Sequence, residues 1–358
     1  MPTFRADVRE ISPYTPGRSI ESIAAEHGLD PADIIKLASN EHPVPPLEAV
    51  QARMREVVAG VYRYPDNDVV ELRRALGDSL DVPPDSVWVG GGSSELLRVV
   101  ALAVGGPGTS AVYPWPSFVI YRLASVLAMS ERVEVPLERH RNDLDAMRRA
   151  IREDTTVVYV CNPNNPTGTI VGDKELADFV ESVPERTLVV IDEAYHEYVT
   201  SSDHTSAVPM AVERPNVVVC RTFSKVHGLA ALRVGYAVAR PETVVELRKA
   251  QAPFTVSSMG QEAALESLRH SDAIRERVVQ NARMRTEMQE ALIGLELETA
   301  DSQANFVAFD GSPAGDPAAA YLRHGIIVRV FGGWVRATVG TPDENRRFVE
   351  ASAAIYGG

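Results

Sequence analysis

The chain has 358 residues, which at roughly 100–200 residues per domain predicts two domains. Hydrophobic residues make up 45% and charged residues 24%, the balance of a globular protein with a large core. Its 49 acids outnumber its 36 lysines and arginines, and the net charge of −13 argues against a nucleic-acid or anionic-membrane partner.

In chain order, residues 1–18 carry no apolar stretch of the secretory kind. No apolar run reaches the roughly 18 residues of a membrane helix, since the longest, over 96–104, is broken by Arg98. Cys161 and Cys220 are too few for a disulfide framework. A cytoplasmic enzyme is the expectation.

From about residue 85, short apolar runs alternate with longer helix-like stretches. A strand at 87–90 runs through Gly90-Gly91-Gly92-Ser93-Ser94-Glu95 into a helix at 93–104. That turn offers backbone N–H groups at a helix start, a cradle for phosphate, although it lacks the dinucleotide and P-loop spacings and alone reads as a glycine-rich turn. A strand at 110–113 precedes apolar residues at helical spacing over 118–128. The β-branched runs 156–160 and 187–191 flank a helix-like 174–182, and 217–220 and 234–238 complete the series. Such alternation predicts βαβ units and a mostly parallel sheet covered on both faces, with its ligand beyond the carboxyl ends of the strands.

Three strand-end motifs carry chemistry. Asn162-Pro163-Asn164-Asn165-Pro166-Thr167-Gly168 is a rigid turn able to hold an amide in one orientation, or simply a turn. Asp192-Glu193-Ala194-Tyr195 puts a carboxylate where water is scarce, so it needs a cationic partner unless it serves as a helix cap. His196 and Glu197 lack a second histidine four residues on, and no metal site is expected. In Thr222-Phe223-Ser224-Lys225, followed by Arg233, a lysine past a buried strand has neighbours that lower its pKa and suit it to Schiff-base chemistry. Thr222, Ser224 and Arg233 are the hydroxyls and cation a phosphate requires. The alternative for Lys225 is a solvated loop position.

After Arg240 the pattern changes to amphipathic helices at 241–251 and 261–295. Short strands at 306–309, 326–330 and 335–339 and a helix at 342–355 follow, the signature of an α+β unit. Residues 310–317 read as a surface loop.

The order of these blocks resembles the fold-type I aminotransferases that use pyridoxal 5′-phosphate, and within them the histidinol-phosphate group with its aromatic amino acid branch. The resemblance extends to Lys36-Leu37-Ala38-Ser39-Asn40-Glu41, Tyr62-Arg63-Tyr64-Pro65-Asp66, Ser302-Gln303-Ala304-Asn305-Phe306-Val307, Ile326-Ile327-Val328-Arg329 and Val335-Arg336-Ala337-Thr338-Val339-Gly340. It implies an α/β fold of the aspartate aminotransferase kind. A large cofactor-binding domain would span 41–250, and 1–40 with 251–358 would form an arm and a smaller domain. It further implies that Lys225 forms the internal aldimine and moves the Cα proton. Asp192 would pair with the pyridine nitrogen, Asn165 and Tyr195 would bond ring O3′, and Phe118 would stack on the ring. Ser93, Ser94, Thr222, Ser224 and Arg233 would hold the phosphate, with Tyr64 reaching it from the other subunit of a homodimer. Tyr14, Asn40, Arg329 and Arg336 would meet the substrate.

Phe118, His227 and Ala231 depart from the residues usual in that group, and the connection between Arg329 and Arg336 is short. His227 reads either as a titrating group near the phosphate or as a packed loop residue. In the short connection and in Pro253-Phe254-Thr255-Val256-Ser257-Ser258 the chain resembles the aromatic branch more than typical histidinol-phosphate enzymes, which implies transfer from an aromatic amino acid to 2-oxoglutarate. Histidinol phosphate as the donor is the alternative, and a threonine-phosphate decarboxylase-like lyase a more distant one.

Overall fold

The computed structural model describes residues 3–12, 20–28 and 30–357. Tyr14 lies outside the described residues. Twelve strands are found among those described: β1 (Ile35–Lys36), β2 (Val87–Gly90), β3 (Ser110–Trp115), β4 (Glu131–Pro136), β5 (Thr155–Cys161) and β6 (Leu188–Asp192) come first. They are followed by β7 (Val217–Thr222), β8 (Gly235–Val238), β9 (Phe306–Asp310), β10 (Ile326–Ile327), β11 (Arg329–Phe331) and β12 (Trp334–Thr338).

Seven of them form the central sheet in the order β2-β8-β7-β6-β5-β3-β4. The pairs β4/β3, β3/β5, β5/β6 and β6/β7 are parallel, and β8 runs antiparallel to both β7 and β2. The expected mostly parallel sheet is therefore present, with one reversed strand. Because β2 and β7 both oppose β8, they share a direction. The carboxyl ends of β2, β3, β5, β6 and β7 thus lie along one edge, where β8 begins.

Burial explains why these strands read as continuous apolar runs. In β7, Val217 and Val219 join a core cluster with Leu176, Phe179 and Ala263. Val218 and Cys220, pointing the other way, join Leu97, Val100 and Tyr159. With a period of two and both faces covered, Val217 to Cys220 are apolar without a break.

A second sheet, β11-β12-β9, is antiparallel. Its core, with Met288, Leu292, Phe309, Tyr321 and Phe348, includes Ile35 and Leu37 from the beginning of the chain. That long-range contact is fixed by β1, which pairs in parallel with β10.

Several expected boundaries change. The stretch 326–330 is not one strand: Ile326–Ile327 pairs with β1, and Arg329–Phe331 turns to pair with β12. The region 261–295 is two helices, Ser258–Leu268 and Ser271–Gly294, joined through Arg269 and His270. Strand β4 and the helices Glu48–Val57 and Val70–Leu80 lie where no element was expected. β4 is an edge strand carrying Glu131, Arg132 and Glu134, so it lacks the apolar run by which a buried strand is recognised.

Candidate active site

A cavity of about 530 Å³ opens over the shared strand edge. It is lined by Ser93, Ser94, Phe118, Asn165, Asp192, Tyr195, Thr222, Ser224, Lys225 and Arg233 from the large sheet, and by Asn40, Arg329 and Arg336 from the smaller one and its arm. Trp115, Phe331 and Glu41 complete its walls. A larger open cleft of about 950 Å³, beside Arg141 and Asp173, holds none of these groups.

One end is built for an anion. The helix Ser93–Val104 begins directly after β2, so its first N–H groups face the cavity. Gly92 has φ +86° there, and a Cβ on it would lie 2.5 Å from Arg233 Nη2. A Cβ on Gly235 would lie 2.5 Å from the Ser93 backbone nitrogen, so β8 and the helix start meet only because that residue is glycine. The Arg233 guanidinium is held by Ala230 O at 2.9 Å and approaches Ser224 Oγ at 3.5 Å. Thr222 Oγ1 accepts the Ser224 backbone N–H at 3.1 Å.

The other end carries a buried anion. Asp192, at the end of β6, is 1% exposed. Its Oδ2 accepts the Tyr121 hydroxyl at 2.8 Å and its Oδ1 the Ala194 N–H at 3.2 Å. Burial raises its pKa to about 6, and the two donors and Lys225 resist that rise. Phe118 forms a wall, edge-on to Tyr121 at 5.9 Å.

Lys225 stands between these ends. Burial lowers its pKa to about 8, helped by the positive charges of Arg336 and Arg233. Its Nζ donates to Asn40 O at 3.2 Å and lies 5.5 Å from the centre of the Tyr195 ring. An amine so depressed is still mostly protonated at pH 7, but roughly a tenth of it is free as a nucleophile, far more than for an ordinary lysine. The Tyr195 hydroxyl accepts from Asn40 Nδ2 at 2.9 Å.

The third wall comes from the smaller sheet. Arg336 donates through Nη1 to Asn165 Oδ1 at 2.5 Å and through Nη2 to Ala38 O at 2.6 Å. Arg329 is its register partner across β11/β12, which puts both side chains on one face of the hairpin. The short connection between them is a tight turn through Gly332 and Gly333, with φ +55° and +89°.

Tyr64, expected at the other subunit's site, and His227 lie outside this cavity. Tyr64 is 83% exposed, stacked on Phe254 at 4.7 Å, and does not line this cavity. His227 is packed rather than titrating: its Nδ1 meets Ser267 Oγ at 2.7 Å, and burial and Arg277 lower its pKa to about 3. Sequence reasoning missed Tyr121, Asn305 and Thr338. Asn305 Nδ2 donates to Asn40 O at 3.2 Å, and Asn40 N–H donates to Thr338 Oγ1 at 2.9 Å. Asn305 and Thr338 stand in blocks that carry the resemblance, and for Tyr121 the signal was its place three residues after Phe118, where a helical start brings both rings to the same side.

The donor set fits pyridoxal phosphate: a helix start, hydroxyls and a guanidinium for the phosphate, a carboxylate for a protonated ring nitrogen, and an amine between them for an aldehyde. Comparison with known proteins agrees. The family described as aminotransferase class I and II matches residues 32–351. Histidinol-phosphate aminotransferase 1 of Cupriavidus pinatubonensis is 41% identical over 96% of this chain and 94% of its own length. The aromatic amino acid aminotransferase of Thermobifida fusca is also 41% identical, over 97% of this chain and 96% of its own. The crystal structure of histidinol-phosphate aminotransferase from Sinorhizobium meliloti with pyridoxal-5′-phosphate superposes with a TM-score of 0.90 at 26% identity, covering 99% of this chain and 97% of that one.

Proposed function

The chain belongs to the class I and II aminotransferase family, and from that premise we propose that it transfers the amino group of an aromatic L-amino acid to 2-oxoglutarate. The cofactor is pyridoxal 5′-phosphate, whose ring, when bound, supplies the electron sink for chemistry at the substrate Cα. In this reading the N–H groups at Ser93 and Ser94, the hydroxyls of Thr222 and Ser224, and Arg233 bind the phosphate. Asp192 accepts a hydrogen bond from the ring nitrogen, Phe118 packs on the ring face, and Asn165 and Tyr195 present an amide and a phenol to the ring oxygen. Lys225 Nζ would hold the cofactor until substrate arrives, and would then carry the proton from the substrate Cα to the cofactor carbon that keeps the amino nitrogen.

The substrate reading rests on one observation: besides Arg233 at the phosphate end, two further guanidiniums, Arg329 and Arg336, share the cavity with several aromatic rings. Arg336 binds the α-carboxylate of donor and acceptor alike through two parallel hydrogen bonds. Trp115, Phe118 and Phe331 offer apolar surface to an aromatic side chain. Arg329 meets the distal carboxylate of 2-oxoglutarate. The same Arg329 suits a phosphate equally well, which supports histidinol phosphate as the second reading. Steady-state kcat/KM for phenylalanine, tyrosine and histidinol phosphate tests it. A clear preference for histidinol phosphate overturns the aromatic donor, and carbon dioxide release in place of 2-oxo acid overturns transfer itself.

Residues 41–250 act as the large unit and 1–40 with 251–358 as the small one; the β1/β10 pairing and the place of Leu37 in the second core support joining the arm to the small unit, whereas Val256, Ala263 and Ala264 pack in the core of the large one. The working form is a homodimer in which Tyr64 serves the neighbouring site. Support comes from the exposed apolar side chains Val58, Val61, Tyr62, Tyr64 and Phe254, a set that a monomer would leave in water.

A further inference from the structure

Tyr121 is fully buried and does not line the cavity, and its hydroxyl donates to Asp192 Oδ2 at 2.8 Å. The ring is stacked on Tyr159 at 4.8 Å and stands edge-on to Phe118, at 90° and 5.9 Å. Its backbone N–H donates to Phe118 O at 3.1 Å. One residue therefore touches both the anion at the end of β6 and the aromatic wall of the cavity.

We propose that Tyr121 is the positioning residue for Asp192: its hydroxyl keeps the carboxylate ionised and turned toward the cavity, and its ring edge sets the depth of Phe118. A packing role alone would be met by phenylalanine, whereas a buried hydroxyl without a partner is costly and this one has a carboxylate at 2.8 Å. Each carboxylate oxygen accepts more than one hydrogen bond, so Tyr121 and Ala194 hold Asp192 from behind and leave it acceptor capacity in front. The inference rests on the reading that Asp192 partners the ring nitrogen of the cofactor.

Groups facing Asp192 are Lys225 across the cavity, Glu193 beside it, the thiols of Cys161 and Cys220 on the flanking strands, and the phenols of Tyr121 and Tyr195. Burial pushes the Cys161 thiol up to about 12 and raises that of Cys220, so neither titrates near neutrality. A protonated Asp192 no longer offers a negative charge to a protonated ring nitrogen, which gives cofactor binding an acid limb set by this carboxyl. Removing the Tyr121 donor moves that limb toward neutral pH.

The test is pyridoxal phosphate binding to apoenzyme, followed by equilibrium dialysis from pH 5.5 to 8.5, for wild type, Tyr121→Phe, Tyr159→Phe and Asp192→Asn. The expected result for Tyr121→Phe is an acid limb displaced upward by about one pH unit and a tenfold weaker Kd on that limb, the equivalent of one pKa unit. Tyr159→Phe removes a neighbouring buried phenol from the same ring stack and is expected to leave the limb in place. A 3-fluorotyrosine at position 121, a better donor of the same shape, should move the limb downward, and it keeps the proposal testable if Tyr121→Phe folds poorly. A limb unmoved in Tyr121→Phe, or moved equally in Tyr159→Phe, overturns the proposal while Asp192→Asn still loses affinity. Wild-type affinity in Asp192→Asn overturns the underlying reading of Asp192 as well.

Discussion

The floor of the cavity and its outer wall are built in different ways. The floor comes from the ends of consecutive strands, so Asp192, Thr222 and Lys225 sit within short motifs, and the backbone of Asp192 and Thr222 is held by paired neighbours in the sheet. The outer wall is assembled from distant parts of the chain: Asn40 meets Tyr195, Asn305 and Thr338, and Arg336 meets Ala38 and Asn165. A floor locked in a buried sheet suits chemistry common to many substrates. A wall of side-chain bridges between two sheets suits contacts that vary with the substrate.

If that division is right, damage to the floor should abolish chemistry, and damage to the wall should weaken and redirect it. Lys225→Ala is expected to fall by more than about 10³-fold in kcat, since it removes both nucleophile and proton carrier. Borohydride should then fix no cofactor to the chain; fixation in the variant would refute the assignment. Arg336→Ala should lose about 2–4 kcal/mol in kcat/KM, some 30- to 1,000-fold, in both half-reactions, because donor and acceptor share the guanidinium. A loss confined to one half-reaction would show that they do not share it.

The Tyr64 reading yields a mixing experiment. Lys225→Ala and Tyr64→Ala, each impaired alone, should regain activity when their subunits are exchanged, because one site of the hybrid then has both residues intact. No recovery in a verified hybrid would place Tyr64 outside the site.

Asp192 gives a smaller effect, read in the stability of the cofactor-free protein. Burial raises its pKa to about 6, above the usual value near 4 for an aspartate. A group raised on folding contributes its stability below the unfolded value and loses it as pH rises through the folded one. Thermal melts of Asp192→Asn and wild-type apoenzyme should therefore separate between pH 4 and pH 7, the variant gaining at least about 2 °C at the higher pH. A constant difference across that range would contradict the buried anion.

The smallest change belongs to His227→Phe. Its pKa of about 3 keeps the imidazole neutral at working pH, so the pH–rate profile should not move. Stability should fall by about 1 kcal/mol with the bond to Ser267. A shifted profile would return His227 to the phosphate end.

How much was legible follows from the same division. β5, β6 and β7 are covered on both faces, so their β-branched runs stand out from the chain around them. β4 escaped because an edge strand with charged residues resembles a loop. The stretch 326–330 read as one strand because apolar pattern does not reveal which partner each half pairs with, and here the partners lie in different sheets. The Phe118–Tyr121 pair was visible as spacing, whereas the bond from Tyr121 to Asp192 joins residues 71 positions apart.

By itself the sequence determined the alternation of buried strands and helices, the reactive groups at the strand ends and the family to which the chain belongs, because these are local patterns of apolarity and motif. Only the tertiary structure decided that Asn40, Asn305 and Thr338 brace one another, that Arg329 and Arg336 share a face, that His227 is packed and that Tyr121 stands behind Asp192. Those arrangements depend on which distant segments are pressed together when two cores form, and burial then sets the charge that each group carries.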